Sequence, residues 1–295
     1  MLTCRNLRTI NVVTPGTLLI AAMLLTASAS LRAQSAPPME SQETHTDVYS
    51  DPEGYKFRLE GAFWYATPTG TIAGSTTEAP IDFTTVLHFQ TYATASAGAD
   101  WHFKRKHHLF LLVSPNQADR SIVLGQTITF RGYTFEAGTG ISSQVRNNVY
   151  APGYRYDILH REHGHLGIVA QFNLLDIRAS IKGRAVTESG TQVATASASL
   201  LAPIPVLGPD ARVYFLRNRA FVDANVKGMY FFGYGNYITA SGEGGFRFGK
   251  HIDLTAGYQM GSHLVINGNN AVAANSRLSI RETQRGFTTG LEFNF

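Results

Sequence analysis

The sequence predicts an all-β chain: one antiparallel, up-and-down β-barrel that crosses a membrane, with ten strands as the reading and eight or twelve as alternatives. Three observations carry this. The C-terminal run alternates strictly, with Phe287, Thr289, Leu291, Phe293 and Phe295 on one face and Gly286, Thr288, Gly290, Glu292 and Asn294 on the other. A period of two is that of a strand, and an apolar face without a polar break that ends on a terminal Phe fits the last strand of an outer-membrane barrel. Composition agrees: 28 Gly, 13 Tyr and 18 Phe accompany only 16% charged residues, against about 25% in soluble domains. No apolar run beyond the N-terminus reaches the length of a spanning helix, whereas a barrel strand needs apolar groups only at every second position.

The first 33 residues read as a secretory leader. Arg5 and Arg8 precede an apolar stretch, Thr17 to Ala27, and small residues follow, placing cleavage after Ala29 or Ala33. The leader carries three Arg (5, 8 and 32) and no acid, so 25 basic against 21 acidic residues becomes 22 against 21, a net charge of +1. The basic balance thus belongs to the leader and gives no reason to expect nucleic acid as a partner. Cys4, the one cysteine, also lies there, which excludes disulfides and thiolate metal sites from the mature chain. Residues 34–53 are polar, hold Pro37 and Pro38, and lack periodicity; they read as a disordered periplasmic lead-in, with 54–295 as the barrel.

The strands follow in order. Tyr55 to Tyr65 alternates, with Tyr55, Phe57, Leu59, Gly61, Phe63 and Tyr65 outward, and the Thr- and Gly-rich stretch 67–85 reads as an external loop. Tyr92 to Phe103 is a second strand, closed by the basic turn 104–108. The third runs from Leu109 through a weak patch at 115–120 to Phe130, and Arg131-Gly132 is a tight turn. The fourth, Ile141 to Ile158, holds Pro152, where a bulge is expected because Pro donates no ladder hydrogen bond. In the fifth the apolar phase changes at Leu174-Leu175, which predicts a bulge and places Asp176 and Arg178 inward. The sixth, Thr191 to Phe215, is expected to be interrupted at Pro203, Pro205 and Pro209. Strands at 221–232, 237–248, 252–266 and 277–295 complete the count, with turns at 160–165, 216–219 and 249–251. Four short turns on the side of both termini match the periplasmic side of an outer-membrane barrel.

The segments Ile128–Phe130, Tyr133–Thr139, Gly153–Asp157, Leu174–Ser180 and Ala202–Gly208 together resemble a family of largely uncharacterised Gram-negative outer-membrane β-barrel proteins. The run around Pro203 and Pro205 is the most specific of these. The resemblance covers most of residues 55–295 and implies a fold and a location; it brings no catalytic or ligand residue.

The chemistry that can be read is that of an interior. Lys56, Arg58, Glu60, Arg155, Asp157, Asp176, Arg178, Asp223, Lys227, Glu243, Arg247, Asp253 and Glu292 come from many strands on the predicted inward face, with both signs in similar number. They would line a narrow polar pore or neutralise one another in a filled core. No Gly-x-Ser-x-Gly elbow occurs. His88 and His263, with Ser262 and Glu243 or Asp82, are the elements of a lipid-modifying enzyme or protease at the outer rim, but no motif accompanies them. His163-Gly164-His165 has the spacing of a weak metal pair, against a solvated polar turn. No catalytic residue, cofactor or metal is assigned. Tyr55, Tyr65, Trp101, Phe103, Tyr230, Phe231, Phe232, Tyr234, Tyr237, Phe293 and Phe295 read as interfacial girdles. Phe295 doubles as a signal for barrel-insertion machinery. The function expected is a small passive channel or structural membrane protein, with surface binding through segments 67–90 and 131–142 as the alternative. The partners expected are outer-membrane lipid, the insertion machinery and, for a channel, small solutes.

Overall fold

The computed structural model of the protein describes residues 52–75, 77–187, 190–232, 235–266 and 278–295. The leader, all but the end of the lead-in, and the loop expected at 267–275 lie outside them. The strands are β1 (Phe57–Ala73), β2 (Ile81–Asp82), β3 (Tyr92–Lys104), β4 (His107–Ser114), β5 (Gln117–Val123), β6 (Ile128–Phe130), β7 (Tyr133–Phe135), β8 (Gly140–Arg161), β9 (Gly164–Thr187), β10 (Gly190–Phe215), β11 (Ala220–Phe231), β12 (Gly235–Phe248), β13 (Ile252–Ile266) and β14 (Ser279–Asn294). β4 and β5 pair with successive stretches of β8, so they fill one wall position, broken at Pro115-Asn116. The wall runs β1, β3, β4/β5, β8, β9, β10, β11, β12, β13, β14 and closes β14 on β1: ten antiparallel positions. The seam brings the ends together, since Phe295 N–H donates to the Phe57 carbonyl at 2.8 Å and Lys56 N–H to the Phe295 carbonyl at 2.7 Å.

Side-chain direction follows the pleat. On β14 Phe287, Thr289, Leu291, Phe293 and Phe295 are exposed, while Gly286, Thr288, Glu292 and Asn294 are buried. Exposed apolar residues form a band around the outside: Phe57 to Tyr65 on β1, Tyr150 to Ile158 on β8, Leu166 to Phe172 on β9 and Leu207 to Phe215 on β10. Each stretch is close to the 9–11 residues that a tilted transmembrane strand needs, roughly. β8, β9 and β10 continue well past this band. Leu175 to Thr187 alone, at about 3.3 Å per residue, adds on the order of 40 Å of strand.

That continuation corrects the fifth strand. The β9–β10 register runs without a shift from Gly190↔Thr187 to Val213↔Gly164, so no bulge occurs at Leu174. Leu175, Ile177, Ala179 and Ile181 point inward and are buried; Asp176 and Arg178 point outward. The apolar phase changes with the surroundings of each face: from Leu166 to Phe172 the apolar residues lie on the exposed outer face, and from Leu175 to Ile181 they lie on the inner face in a buried apolar cluster.

Other expectations shift for related reasons. β1 continues through Thr67 and Pro68 to Ala73, laddered to β14, so much of the expected loop is wall. The third strand ends at Val123, and β6–β7 is a separate hairpin turning on Arg131 (φ 56°) and Gly132 (φ 78°). The register is unchanged across Pro152; the β8–β9 ladder merely skips Ala151-Pro152, and its shift lies between Asp157 and Leu159. Nor is β10 interrupted: Pro203, Pro205 and Pro209 pair with Leu174, Phe172 and Ile168 of β9, while the β10–β11 ladder begins only at Leu207 and skips Gly208-Pro209. The missing N–H groups fall on the seam where hydrogen bonds are sparse, as Pro in a sheet requires.

Candidate functional site: the barrel interior

The interior has three levels, and the strand ends that carry the short turns build the first. Arg155 of β8 lies 3.0 Å from Asp157 and 3.4 Å from Asp210, with Glu53 at 3.9 Å and Asp100 at 4.0 Å. His108 of β4 sits between Asp100 and Asp157, at 3.2 Å from each. His165 of β9 lies between Glu53 (3.4 Å) and Asp210 (3.0 Å). Arg212 of β10 forms two 2.8 Å bonds to Glu292 and one of 2.9 Å to Asp223. Arg58 donates to Asn294 at 2.7 Å and lies 3.5 Å from Glu292, and Arg247 lies 3.3 Å from Asp253. Such groups are tolerable out of water only when paired, and breaking one pair costs about 3–5 kcal/mol.

The end of the lead-in enters this level. Glu53 is fully buried and accepts a 2.8 Å hydrogen bond from the Tyr214 hydroxyl. Burial by itself would raise its carboxyl, but His165 and then Arg58 and Arg212 outweigh it and hold it well below the usual carboxylate range. Tyr55 donates to Asp100 at 2.8 Å, and Arg58 stacks over its ring at 4.0 Å. Tyr55 is therefore part of the interior, not of the outer face on which its alternation placed it.

The second level is a cavity of about 260 Å³ whose lining includes Glu60, Trp64, Gln171, Lys227, Glu243 and Gln284. Lys227 donates to Gln171 at 2.9 Å. The third level is apolar. Phe83, Leu87 and Phe89 from the segment after β2, and Phe130 and Phe135 from the β6–β7 hairpin, pack on Leu175, Ile177 and Ile181 of β9 and on Leu264 and Ile280 of the opposite wall. Each such side chain contributes about 1.5–3 kcal/mol by leaving water. The segments expected to be external loops thus supply an inward-facing cap.

The expected interior charges therefore divide. Arg58, Arg155, Asp157, Asp223, Arg247, Asp253 and Glu292 join the ionic level, and Glu60, Lys227 and Glu243 line the cavity. Lys56 is exposed, because it precedes β1 at the seam, and Asp176 pairs with Arg178 at 3.0 Å on the outer surface. Sequence reasoning missed Glu53, Asp100, His108, His165, Asp210 and Arg212. Asp100 was legible from alternation in β3; Asp210 and Arg212 were obscured by the proline interruption that does not exist.

The residues that the sequence offers to an enzyme at the rim fall in different settings, with the Ser262 side chain outside those described. Glu243 lines the cavity, whereas His263 is on the outer face, 2.8 Å from the Thr283 hydroxyl. His88 is exposed in the loop, and Asp82 accepts from Thr84 and Thr85 within its own turn. His163 and His165 also part: His163 faces Asn218 at the turn, and His165 is buried inside. Among the described residues no cluster of three or more His, Cys, Asp or Glu side chains could hold a metal ion. Of the expected girdle, Tyr55 and Tyr237 are buried within and Phe231 packs on the apolar core. Tyr65, Trp101, Phe103, Tyr230, Phe232, Phe293 and Phe295 are exposed, and Tyr234 lies outside the described residues.

No protein-family model matches the chain, and no curated protein matches it. Among solved structures, the outer membrane protease OmpT from Escherichia coli superposes over 81% of this chain and 96% of its own, with 11% identity and a TM-score of 0.52. The toluene transporter TodX of Pseudomonas putida matches at 9% identity and a TM-score of 0.35, covering 85% of this chain and 94% of its own. Ail of Yersinia pestis, in complex with the heparin analogue sucrose octasulfate, matches at 9% and 0.33, covering 81% and 99%. The likeness to OmpT concerns the fold: this chain has the architecture of Gram-negative outer-membrane β-barrels.

Proposed function

We propose that the protein is an integral barrel of a Gram-negative outer membrane, exported by residues 1–33, whose lumen is closed and whose role is structural rather than catalytic. The observation that carries this is the apolar cap: Phe83, Leu87, Phe89, Phe130 and Phe135 fill the outer part of the lumen, and the ionic level with Glu53 and Tyr55 fills its other end. Ions would have to cross both. Outer-membrane lipid and the insertion machinery reading Phe295 are its partners in this view, with no cofactor.

Planar-bilayer recording of the refolded mature chain tests it. A folded barrel without steady conductance is the expected result. Ion-selective steps that change on Arg58→Ala or Glu292→Ala would replace this reading with that of a channel and make small solutes its cargo. Mass spectrometry of the exported chain reads the cleavage site, at Ala29 or Ala33. A second reading, surface binding, is favoured by the reach of β8, β9 and β10 beyond the lipid band.

A further inference from the structure

The outer face of β13, β14 and β1 carries a sharp boundary. Tyr65, Phe287 and Tyr258 lie in one cross-strand row and are exposed by 52%, 70% and 46%. Aromatic residues in such a row mark the level of the lipid headgroups. The next rows outward are Thr67–Arg285–Met260, Thr69–Thr283–His263 and Thr71–Arg281–Val265. Arg285 and Arg281 are exposed on the same face as Phe287, and Arg285 is two residues, about 7 Å, beyond it.

Among the described residues neither arginine has a carboxylate partner. The acid on this face, Asp82 opposite Thr71, is occupied by Thr84 and Thr85 of its own turn. On the β5–β8–β9 face, by contrast, Arg178 pairs with Asp176 at 3.0 Å and Arg146 with Gln117 at 2.9 Å. Two unneutralised guanidinium groups, one imidazole and a row of threonine hydroxyls thus stand where a headgroup would meet the wall. Guanidinium is the side chain suited to bidentate phosphate binding, and hydroxyls suit sugar or phosphate oxygens.

We propose that this face binds a phosphorylated glycolipid of the outer leaflet, with its acyl chains on Tyr258 and Phe287 and its phosphate between Arg285 and Arg281. This rests on the reading of the chain as an outer-membrane barrel. The test uses the mature chain refolded into phosphatidylcholine vesicles, with and without lipid A, and follows heat-induced unfolding by the electrophoretic shift of the folded barrel. Folding into the lipid-A-free vesicles reports the barrel reading by itself. Lipid A is expected to raise the unfolding midpoint by on the order of 5 °C, to do the same in Arg178→Ala, and to lose most of that effect in Arg281→Ala/Arg285→Ala. Dephosphorylated lipid A and free inorganic phosphate at equal concentration are expected to do little. An equal response in the double variant, an equal response to either control, or no response in the wild type would overturn the proposal.

Discussion

Arg212 and Glu292 face each other across the lumen in a two-pronged pair, both bonds at 2.8 Å, although β10 and β14 are separated in the wall by three strands. Arg212 also holds Asp223 at 2.9 Å and lies 4.4 Å from the centre of the Phe221 ring. A buried bridge of this kind fixes which walls face one another, a task that ladder hydrogen bonds between neighbours cannot perform.

Arg212→Ala leaves Glu292 and Asp223 buried without their main cation and is expected to destabilise the barrel by about 3–5 kcal/mol. Arg212→Met combined with Asp223→Asn and Glu292→Leu removes the cation and both carboxylates it holds and should cost less than Arg212→Ala. Urea unfolding in vesicles, read as the shift in midpoint, separates the two outcomes.

Glu53 makes the barrel's acid stability depend on the lead-in. Its ordinary value is 4.5, and the folded value lies well below that despite burial, because His165, Arg58 and Arg212 dominate. A carboxyl depressed on folding contributes stability that is fully present above the unfolded value and is lost as pH falls through the folded one. The gap in unfolding midpoint between wild type and Glu53→Gln should therefore stay constant from neutral pH to about pH 5 and close in stronger acid. A gap that widens on acidification would mean that Glu53 is not held as an anion.

Trp64 lies against Gly261, where a Cβ would fall 2.3 Å from the indole ring. Gly261→Ala must displace a buried ring and is expected to cost about 1–3 kcal/mol. Gly242→Ala, with nothing within 4 Å of its Cβ, should change stability by no more than about 0.5 kcal/mol. Trp64 fluorescence should shift in the first variant and not in the second.

The reversal of faces on β9 gives a paired test. Ile177→Asp puts a charge into the apolar cap and should abolish folding or lower the urea midpoint sharply. Arg178→Leu, one residue away on the outer face, should fall within about 0.5 kcal/mol of wild type. With the bulge that the sequence suggested, the order would be the opposite.

Much of the wall was legible in the chain itself. The alternation from Phe287 to Phe295 is a local property, since a strand's two faces follow from its pleat, and short polar turns separate the strands. The ten wall positions and the inward direction of Arg58, Asp223 and Glu292 followed from that period of two and the turns between strands. What the chain could not reveal was the environment that each face meets. An apolar residue looks the same whether it touches lipid or a dry interior, so Leu175 and Ile177 read as an outer face shifted by one residue, and Asp176 and Arg178 as an inner one. Prolines looked like breaks because the sequence does not say which edge of a strand is already short of hydrogen bonds. Glu53 looked like part of a tail and Tyr55 like an outward-facing girdle residue because their partners, His165, Tyr214 and Asp100, lie many residues away. The sequence by itself determined the number of wall strands and, where one face stays apolar throughout as on β14, the two faces of a strand. The tertiary structure alone decided the apolar cap and the ionic level beneath it, because each is made by side chains from strands that meet only when the barrel closes.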